Sequence, residues 1–177
     1  MKSCDIDLRD GRKVQIREST PADEAELLQL FDRMSDDARY MRMMRVVREI
    51  NVEAFRSVLR SFPQAGVGLV ATVQAADGID IVGSVVAVFA KDGAPTCEFA
   101  TTVDAAYGGA GLASTLMRLL MEEAQLRGMQ EMEGFVLSQN QPMLRLARRL
   151  GFAVRYDPDD GSVRICSKSL GEPPSAA

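Results

Sequence analysis

A glycine cluster is the feature of this sequence with the clearest chemical use. The run from Gly108 to Gly111 follows a β-branched segment and precedes a stretch in helical register that begins at Leu112. Backbone N–H groups at such a turn converge on the positive end of the helix dipole, and glycines let a ligand approach the backbone closely. The cluster therefore predicts a phosphate or pyrophosphate site. Ser114 and Thr115, in the first helical turn, could each bond a phosphate oxygen or serve as ordinary capping residues.

Other glycine motifs fit this cluster less well. A Walker loop is disfavoured because no Gly-Lys-Ser/Thr follows. A dinucleotide fingerprint is poor, because Gly109-x-Gly111-x-x-Ser114 lacks the third Gly or Ala and follows an antiparallel meander instead of opening a βαβ unit. Two alternatives stay open at this point, a glycine turn without a ligand and a nucleotide-binding oxidoreductase that would use the imperfect fingerprint.

The sequence contains no histidine, which excludes imidazole as a general base or metal ligand. Acid–base work must then fall to Asp, Glu, Tyr, Lys or Cys. The three cysteines, Cys4, Cys97 and Cys166, lie far apart without C-x-x-C spacing, so neither a zinc site nor a disulfide framework is indicated. We therefore expect no metal, and a reducing, cytoplasmic location.

Length and charge limit the class of protein further. The 177 residues, 46% of them apolar, predict one globular domain over residues 1–170 with a disordered tail at 171–177. A formal net charge of −4 argues against a nucleic-acid or anionic-membrane partner. No apolar run approaches the roughly 20 residues that cross a bilayer, and the N-terminus has no apolar signal region. We expect a chain that is neither secreted nor membrane-spanning.

Periodicity predicts the elements that position the glycine cluster. Alternating and β-branched runs predict seven strands, at Val14–Glu18, Val67–Val73, Ile79–Phe89, Thr96–Val103, Met132–Leu137, Phe152–Tyr156 and Val163–Ser169. Helical spacing predicts helices after Thr20-Pro21, at Ala38–Met44, at Val52–Phe62, from Leu112 to Arg127 and at Gln141–Leu150. Ala76-Asp77-Gly78 is a hairpin-type turn, so the middle strands form an antiparallel meander. The order predicts an α/β (α+β) domain.

Two segments together resemble the GNAT superfamily of N-acetyltransferases. Gly108-Gly109-Ala110-Gly111-Leu112-Ala113 resembles the family's Gln/Arg-x-x-Gly-x-Gly/Ala loop, with Gly108 in place of Gln or Arg. The segment 138–152 resembles the family's second conserved block, from Asn-x-x-Met at Asn140 to Gly-Phe at Gly151. The resemblance covers the order of elements from Val14 to about Leu170. It implies a GNAT-like fold with a mixed, largely antiparallel central sheet of about seven strands flanked by helices.

The resemblance also implies acetyl-CoA as cosubstrate and a set of residues that bind it. In the family the loop amides bind the pyrophosphate, which assigns residues 108–113 and Ser114 to the cofactor. Two adjacent strands of the family diverge, and the freed strand edge pairs with the pantetheine amides, which assigns Val103 and, beside it, Thr102. Asn140 matches a family asparagine that contacts CoA, although an asparagine at this position is also a routine helix cap.

Glu98 is the candidate general base. Acetyl transfer requires a neutral amine, and a carboxylate can take the proton of the ammonium directly or through water. Glu98 begins the strand that enters the glycine loop, and the lysine acetyltransferases that the chain resembles carry their catalytic glutamate in the matching Glu-Phe-Ala stretch. The alternative is a solvated glutamate on the polar face of a strand. Many family members protonate the thiolate with a tyrosine at the position of Ala147, so no general acid is assigned.

The acceptor is expected to be an amine. The segments 97–103 and 35–41 are most similar to the acetyltransferase domain of bacterial protein lysine acetyltransferases, which favours a protein lysine over a small amine. Tyr40, Met41, Met43 and Met44 could line an acceptor groove, form a homodimer contact or pack in the core. The rival hypothesis is a non-catalytic acyl-CoA-binding or regulatory domain, motivated by Gly108 and Ala147.

Overall fold

The computed structural model describes residues 3–44, 49–76 and 78–172, which form an eight-stranded sheet and five α-helices. The strands are β1 (Cys4–Asp7), β2 (Lys13–Glu18), β3 (Gly66–Ala75), β4 (Gly78–Phe89), β5 (Thr96–Val103), β6 (Glu131–Leu137), β7 (Ala153–Tyr156) and β8 (Val163–Ser169). The helices are α1 (Glu24–Asp32), α2 (Asp36–Met43), α3 (Val52–Arg60), α4 (Leu112–Leu126) and α5 (Gln141–Arg149). Within these ranges no helix is long and apolar enough to cross a membrane.

The sheet has the order β1-β2-β3-β4-β5-β6-β8-β7, and the only parallel neighbours in that order are β5 and β6. Their ladder contains three residue pairs, from Thr96↔Glu131 to Glu98↔Glu133. β5 continues to Val103 beside β4, and β6 continues to Leu137 beside β8. The two strands therefore diverge after Glu98 and Glu133, and a gap opens in the middle of the sheet.

Each face of the sheet is covered by its own apolar core. The larger core packs α4 and α5 against one face, and the residues that α4 buries are Leu112, Leu116, Met117, Leu120, Glu123 and Ala124. The smaller core joins α1 and α3 to the other face through Leu27, Leu30, Leu59, Val70 and Ile81. On this second face the helices leave β4 and β5 partly open, since Val86, Val88 and Ala100 are only half-buried. α2 lies over this open region, in contact with β5 and β6.

A salt bridge between Arg17 and Asp23 connects the helical layer to the sheet. Arg17 on β2 donates both terminal nitrogens to the Asp23 carboxylate, at 2.8 and 2.6 Å. Asp23 also accepts the backbone N–H of Thr20 at 2.8 Å. Residues 21–23 form a 3₁₀ turn, and α1 follows it from Glu24. The predicted hand-over from strand to helix after Thr20-Pro21 is therefore confirmed, with the α-helix proper beginning three residues later.

The predicted fold class is confirmed, with one strand more than expected. β1 was missed because Cys-Asp-Ile-Asp is too short and too acidic to stand out as a strand, and its partner β2 supplies the ladder that defines it. Of the predicted hairpin turn, Asp77 lies outside the described residues. The predicted tail includes Gly171 and Glu172, and Gln125 Nε2 donates to the Glu172 carbonyl at 2.9 Å. Residues 173–177 lie outside the described part, and the domain limits stay a prediction.

Candidate active site

The glycine loop connects the end of β5 to the start of α4 through a 3₁₀ turn at Ala105–Tyr107. Gly109 and Gly111 have φ angles of +75° and +91°, which L side chains rarely adopt. Gly111 is also the N-cap residue of α4, and a β-carbon there would lie 3.3 Å from Arg9 Nε. Glycine at position 111 is thus required by backbone conformation and by the proximity of the Arg9 side chain.

Six consecutive amides of this loop are free to bind a ligand. Among the residues that the structure describes, the N–H groups of residues 109–114 make no hydrogen bond to a backbone carbonyl. The first bond of the helix runs from Thr115 N–H to the Gly111 carbonyl at 3.1 Å. These free donors stand at the N-terminus of a 15-residue helix, where the helix dipole favours an anion. The arrangement can hold a phosphate or pyrophosphate group.

The predicted loop residues contribute in different ways. The Gly108 N–H donates to the Ala105 carbonyl at 3.0 Å, so this amide is already used within the loop. Its φ of −60° suits any residue, so backbone conformation alone does not require glycine where the family has Gln or Arg. Ala110 is buried and its carbonyl accepts the Arg9 N–H at 3.2 Å. The Leu112 side chain lies in the core, so its backbone N–H is the group that can face a ligand. Ala113 is half-buried.

A cavity of about 120 Å³ lies beside the loop, and two arginines contribute to its wall. Its lining residues are Asp7, Leu8, Arg9, Ala110, Gly111, Ser114, Thr115 and Arg118. Sequence reasoning missed Arg9 and Arg118. A signal existed for Arg118, which follows Ser114 by four residues on the same helix and so shares its face. None existed for Arg9, because the β1–β2 turn reaches the loop only through the tertiary fold. A larger hollow, of about 350 Å³, lies over β1, β2 and β3 and shares Asp7 with this cavity.

The divergence of β5 and β6 exposes the backbone of Val103. The Asp104 N–H bonds the Val82 carbonyl at 2.9 Å, and the Ala90 N–H bonds the Thr96 carbonyl at 3.0 Å. The backbone N–H and C=O groups of successive residues alternate between the two edges of a strand. The even-numbered residues of β5 therefore direct these groups to β4, whereas Thr101 and Val103 direct their N–H and C=O groups toward the gap. Val103 therefore presents an unpaired strand edge. Thr102 instead presents its hydroxyl, which accepts a hydrogen bond from Arg42 Nε at 3.2 Å.

An aromatic contact marks the point where the two strands separate. The Phe99 ring packs directly on Gly134 of β6, where a β-carbon would lie 2.4 Å from the ring. Phe99 also meets Phe152 edge to face, with ring centroids 5.2 Å apart. Gly134 thus lets a bulky ring pack beside the divergence of β5 and β6, which a larger residue would prevent.

Glu98 lies on the open face of the sheet that α2 partly covers, on the same side of β5 as Thr102. It is the in-register partner of Glu133 on β6, so two carboxylates stand side by side. Burial raises the pKa of Glu98, the Glu133 carboxylate raises it further, and Arg42 on α2 opposes both. A carboxylate in this environment is a better proton acceptor than a fully solvated one.

The predicted residues of α5 occupy the expected positions. Asn140 caps the helix, since its side-chain oxygen accepts the Met143 N–H at 3.2 Å. Ala147 is buried in the core beside Leu144, so no phenol is available there. Three arginines of this helix are exposed, Arg145, Arg148 and Arg149.

The remaining tyrosines and cysteines do not supply a further reactive group at this site. Tyr107 and Tyr156 each stack under an arginine, with 3.9 Å from guanidinium carbon to ring centroid. All three cysteines are free, and burial raises the pKa of Cys97 to about 12, so its thiol stays protonated at neutral pH. In the described ranges no group of three or more Cys, Asp or Glu side chains could hold a metal ion.

Comparison with known proteins places this geometry in a family. Residues 13–153 match the acetyltransferase (GNAT) domain family. The chain is 31% identical over 156 residues to an acetyltransferase of Pseudomonas aeruginosa, an alignment covering 88% of this chain and 83% of that protein. The fold is similar to the GNAT domain of S. lividans PAT, with a TM-score of 0.85, 22% identity and coverage of 94% and 96%. It is also similar to Salmonella typhimurium YncA, solved with its cofactor acetyl-CoA, with a TM-score of 0.68, 19% identity and coverage of 93% and 98%.

The class that these matches define is that of the acetyltransferases. Because the family match spans most of the chain, this protein belongs to the GNAT family and is an N-acetyltransferase. The identification from the glycine loop and the 138–152 segment is thereby confirmed.

Proposed function

We propose that this chain transfers the acetyl group of acetyl-CoA to an amine, with Glu98 as the general base and no metal. One juxtaposition carries the proposal. The free amides of residues 109–114, the open strand edge at Val103 and the carboxylate of Glu98 all lie on β5 or on the loop that follows it. A phosphate-binding loop, a strand edge for an extended amide chain and a base therefore occur in the order that acetyl-CoA and an amine require.

The pyrophosphate would bind at the amides of residues 109–114, and Ser114 would donate its hydroxyl there. Arg9 and Arg118 supply positive charge beside the loop. The pantetheine amides would pair with the backbone of Val103 in the gap, as an added strand does. Asn140 uses its oxygen as a helix cap and keeps its amide nitrogen to donate to CoA.

In the proposed reaction the acceptor ammonium first loses a proton to Glu98. The neutral amine then attacks the thioester carbonyl, the carbon–sulfur bond breaks, and the acetyl group remains on nitrogen. The acylated nitrogen releases its extra proton to water, and the departing CoA thiolate takes a proton from water, because Ala147 offers no acid. A raised pKa of Glu98 brings its basicity closer to neutral pH, where a general base is most efficient.

A protein lysine is the acceptor that we favour. The similarity of segments 97–103 and 35–41 to lysine acetyltransferases supports it, and so does the half-open face of β4 and β5. A long side chain could enter there while its backbone stays outside. Tyr40 and Met41 are half-buried on α2 above this face and would border the entrance. A small amine would need a more enclosed pocket.

One observation favours a second candidate, a CoA-binding domain without turnover. Ala147 is buried where many relatives place an acid, and Gly108 replaces a polar residue of the loop. Both functions require CoA binding, so only a measured rate of acetyl transfer distinguishes them.

A cytoplasmic location, which is consistent with the three free cysteines, stays a prediction, and so does a homodimer.

Thermal unfolding with acetyl-CoA, CoA or NAD, followed by thiol release with protein and amine acceptors, tests these alternatives. We expect stabilisation by both CoA forms but not by NAD, and thiol release that depends on the acceptor. Stabilisation without turnover would leave the non-catalytic candidate, and stabilisation by NAD alone would overturn the proposal.

Acetyl-lysine mass spectrometry on a lysate of the source cell, with Glu98→Gln as control, tests whether the acceptor is a protein lysine. Turnover of free amines alone would contradict it.

A further inference from the structure

Arg42 on α2 is a half-buried arginine with most of its donors unused. Burial lowers its pKa, with Glu98 opposing the change. Its Nε donates to the Thr102 hydroxyl, and its two terminal nitrogens make no hydrogen bond to residues 3–44, 49–76 or 78–172. Neither terminal nitrogen is sealed from solvent. These open terminal nitrogens can therefore donate to an acceptor that a ligand brings.

The surroundings of Arg42 place it in the proposed acceptor region. Thr102, which holds its Nε, lies on the same face of β5 as Glu98, four residues further along the strand. At roughly 3.3 Å per residue, these two positions are on the order of 13 Å apart along β5. The Arg42 guanidinium is nevertheless close enough to Glu98 to act on its pKa, so this face carries two carboxylates, Glu98 and Glu133, and a guanidinium near them.

We propose that Arg42 binds a carboxylate carried by the acceptor, so that the enzyme prefers amines that also carry an anionic group. This inference rests on the proposed function, since it uses Glu98 as the place where the amine is deprotonated. An ammonium at Glu98 and a carboxylate at Arg42 would each meet a group of opposite charge. A guanidinium can receive a carboxylate through two parallel hydrogen bonds, and its open terminal nitrogens supply them.

The favoured lysine acceptor limits where this carboxylate can lie. Its ε-amine stands at the end of a flexible chain, so the amine can reach Glu98 while a carboxylate elsewhere on the acceptor meets Arg42. The carboxylate could be the α-carboxylate of the same lysine or an acidic side chain next to a lysine in a protein. A purely cationic polyamine would instead meet repulsion from Arg42.

Matched acceptor pairs test the proposal and separate the two sources. Nα-acetyl-lysine is compared with Nα-acetyl-lysinamide, and a peptide with Asp beside its lysine is compared with the same peptide carrying Asn. We expect at least one pair to show a kcat/KM about tenfold higher for the carboxylate member, mainly through KM, as a charge-assisted hydrogen-bond pair provides. The pair that shows this preference identifies whether the carboxylate is the α-carboxylate of the lysine or a neighbouring acidic side chain.

Variants assign the preference to Arg42. Arg42→Gln should bring the ratio of the two kcat/KM values in each responding pair close to 1. Arg42→Lys should keep part of the preference, because a single ammonium replaces the two-pronged guanidinium. The matched control is Arg155→Gln, which removes an exposed arginine on β7. Circular dichroism and acetyl-CoA-induced stabilisation establish that each variant is folded.

The proposal is overturned if wild type acetylates both members of each pair equally, or if Arg42→Gln slows both members equally, as a residue acting only on Glu98 would. It is also overturned if no carboxylate member is acetylated while acetyl-CoA still stabilises the protein. Absence of acetyl-CoA binding by wild type would be a different result, because it would remove the proposed function itself.

Discussion

Glu98 combines two conditions that a catalytic carboxylate needs. It is accessible on an open sheet face, and its pKa is raised by burial and by Glu133 while Arg42 limits the rise. The balance matters, because a carboxylate that stayed protonated at neutral pH could not accept the ammonium proton. Burial and two charged residues, Glu133 on β6 and Arg42 on α2, therefore set the basicity of Glu98.

Glu98→Gln keeps the size of the side chain and removes its basicity. We expect kcat/KM to fall by about 10²–10⁴ with CoA affinity nearly intact, because one positioned base is lost. Thiol-release kinetics and calorimetric CoA titration measure the two quantities. Turnover like wild type across the pH range would return Glu98 to the role of a surface strand residue.

Glu133→Gln removes the carboxylate beside Glu98. We expect the pKa of Glu98 to fall, so the acidic limb of the kcat/KM profile should move to lower pH, since the base then remains ionised in more acidic solution. Glu131→Gln, an exposed neighbour on β6, is the matched control and should leave the limb unmoved. A limb that moves to higher pH in Glu133→Gln would contradict this description of the site.

At the scale of elements, α4 and β5 act together. The loop between them changes from strand to helix within a few residues, and left-handed glycines at 109 and 111 make that change while leaving six amides unpaired. Asp104 stabilises the turn, because it accepts the Ala106 N–H at 2.9 Å and pairs with Arg33 of the segment after α1 at 3.0 Å. The anion site is thus held from both faces of the sheet.

Gly111→Ala should weaken acetyl-CoA binding at least tenfold, because a β-carbon strains a φ of +91° and lies against the Arg9 side chain. Gly128→Ala is the matched control. It has a similar φ of +87° and open space around it, so it introduces comparable backbone strain away from the loop. Calorimetric titration of both variants separates the two effects. Equal affinity in the two would remove the loop from the cofactor site.

At the scale of the whole molecule, polar contacts join the sheet and its helical layer. Asp23 is 5% exposed and holds Arg17 of β2 through two hydrogen bonds. Burial by itself would raise the pKa of Asp23, but the hydrogen bonds from Arg17 and Thr20 outweigh it and keep that pKa below its usual value. This pair links the start of α1 to the sheet on which the site is built.

Asp23→Ala should lower the free energy of unfolding by about 2–4 kcal/mol at pH 7, because it leaves Arg17 without its partner. The Asp23 contribution is fully present above the pKa of about 3.9 of an unfolded aspartate and is lost as pH falls through the lower folded value. The difference between wild type and variant, measured by urea unfolding, should therefore shrink in acid. Asp10→Ala, which breaks a similar but exposed pair with Arg12, should cost less. Equal losses would contradict the importance of burial.

The sequence alone determined the family, most elements and the candidate residues. Local signals were sufficient for these, because strand and helix periods, the glycine loop and the Asn140 cap depend on neighbours within a few residues. The loop motif and segment 138–152 led to the acetyltransferase family before any contact was known, and the family match confirms it.

Only the tertiary structure decided which residues meet. Arg9, Arg42 and Glu133 come from a turn, a helix and a strand that are distant in sequence. They approach β5 or its loop through sheet pairing and helix packing, which no local period encodes. β1 was missed for the same reason, since its four residues become a strand only against β2. The pKa of Glu98 likewise depends on burial and on charges distant in sequence. Local interactions thus specify the elements, whereas long-range contacts specify the electrostatics of the site.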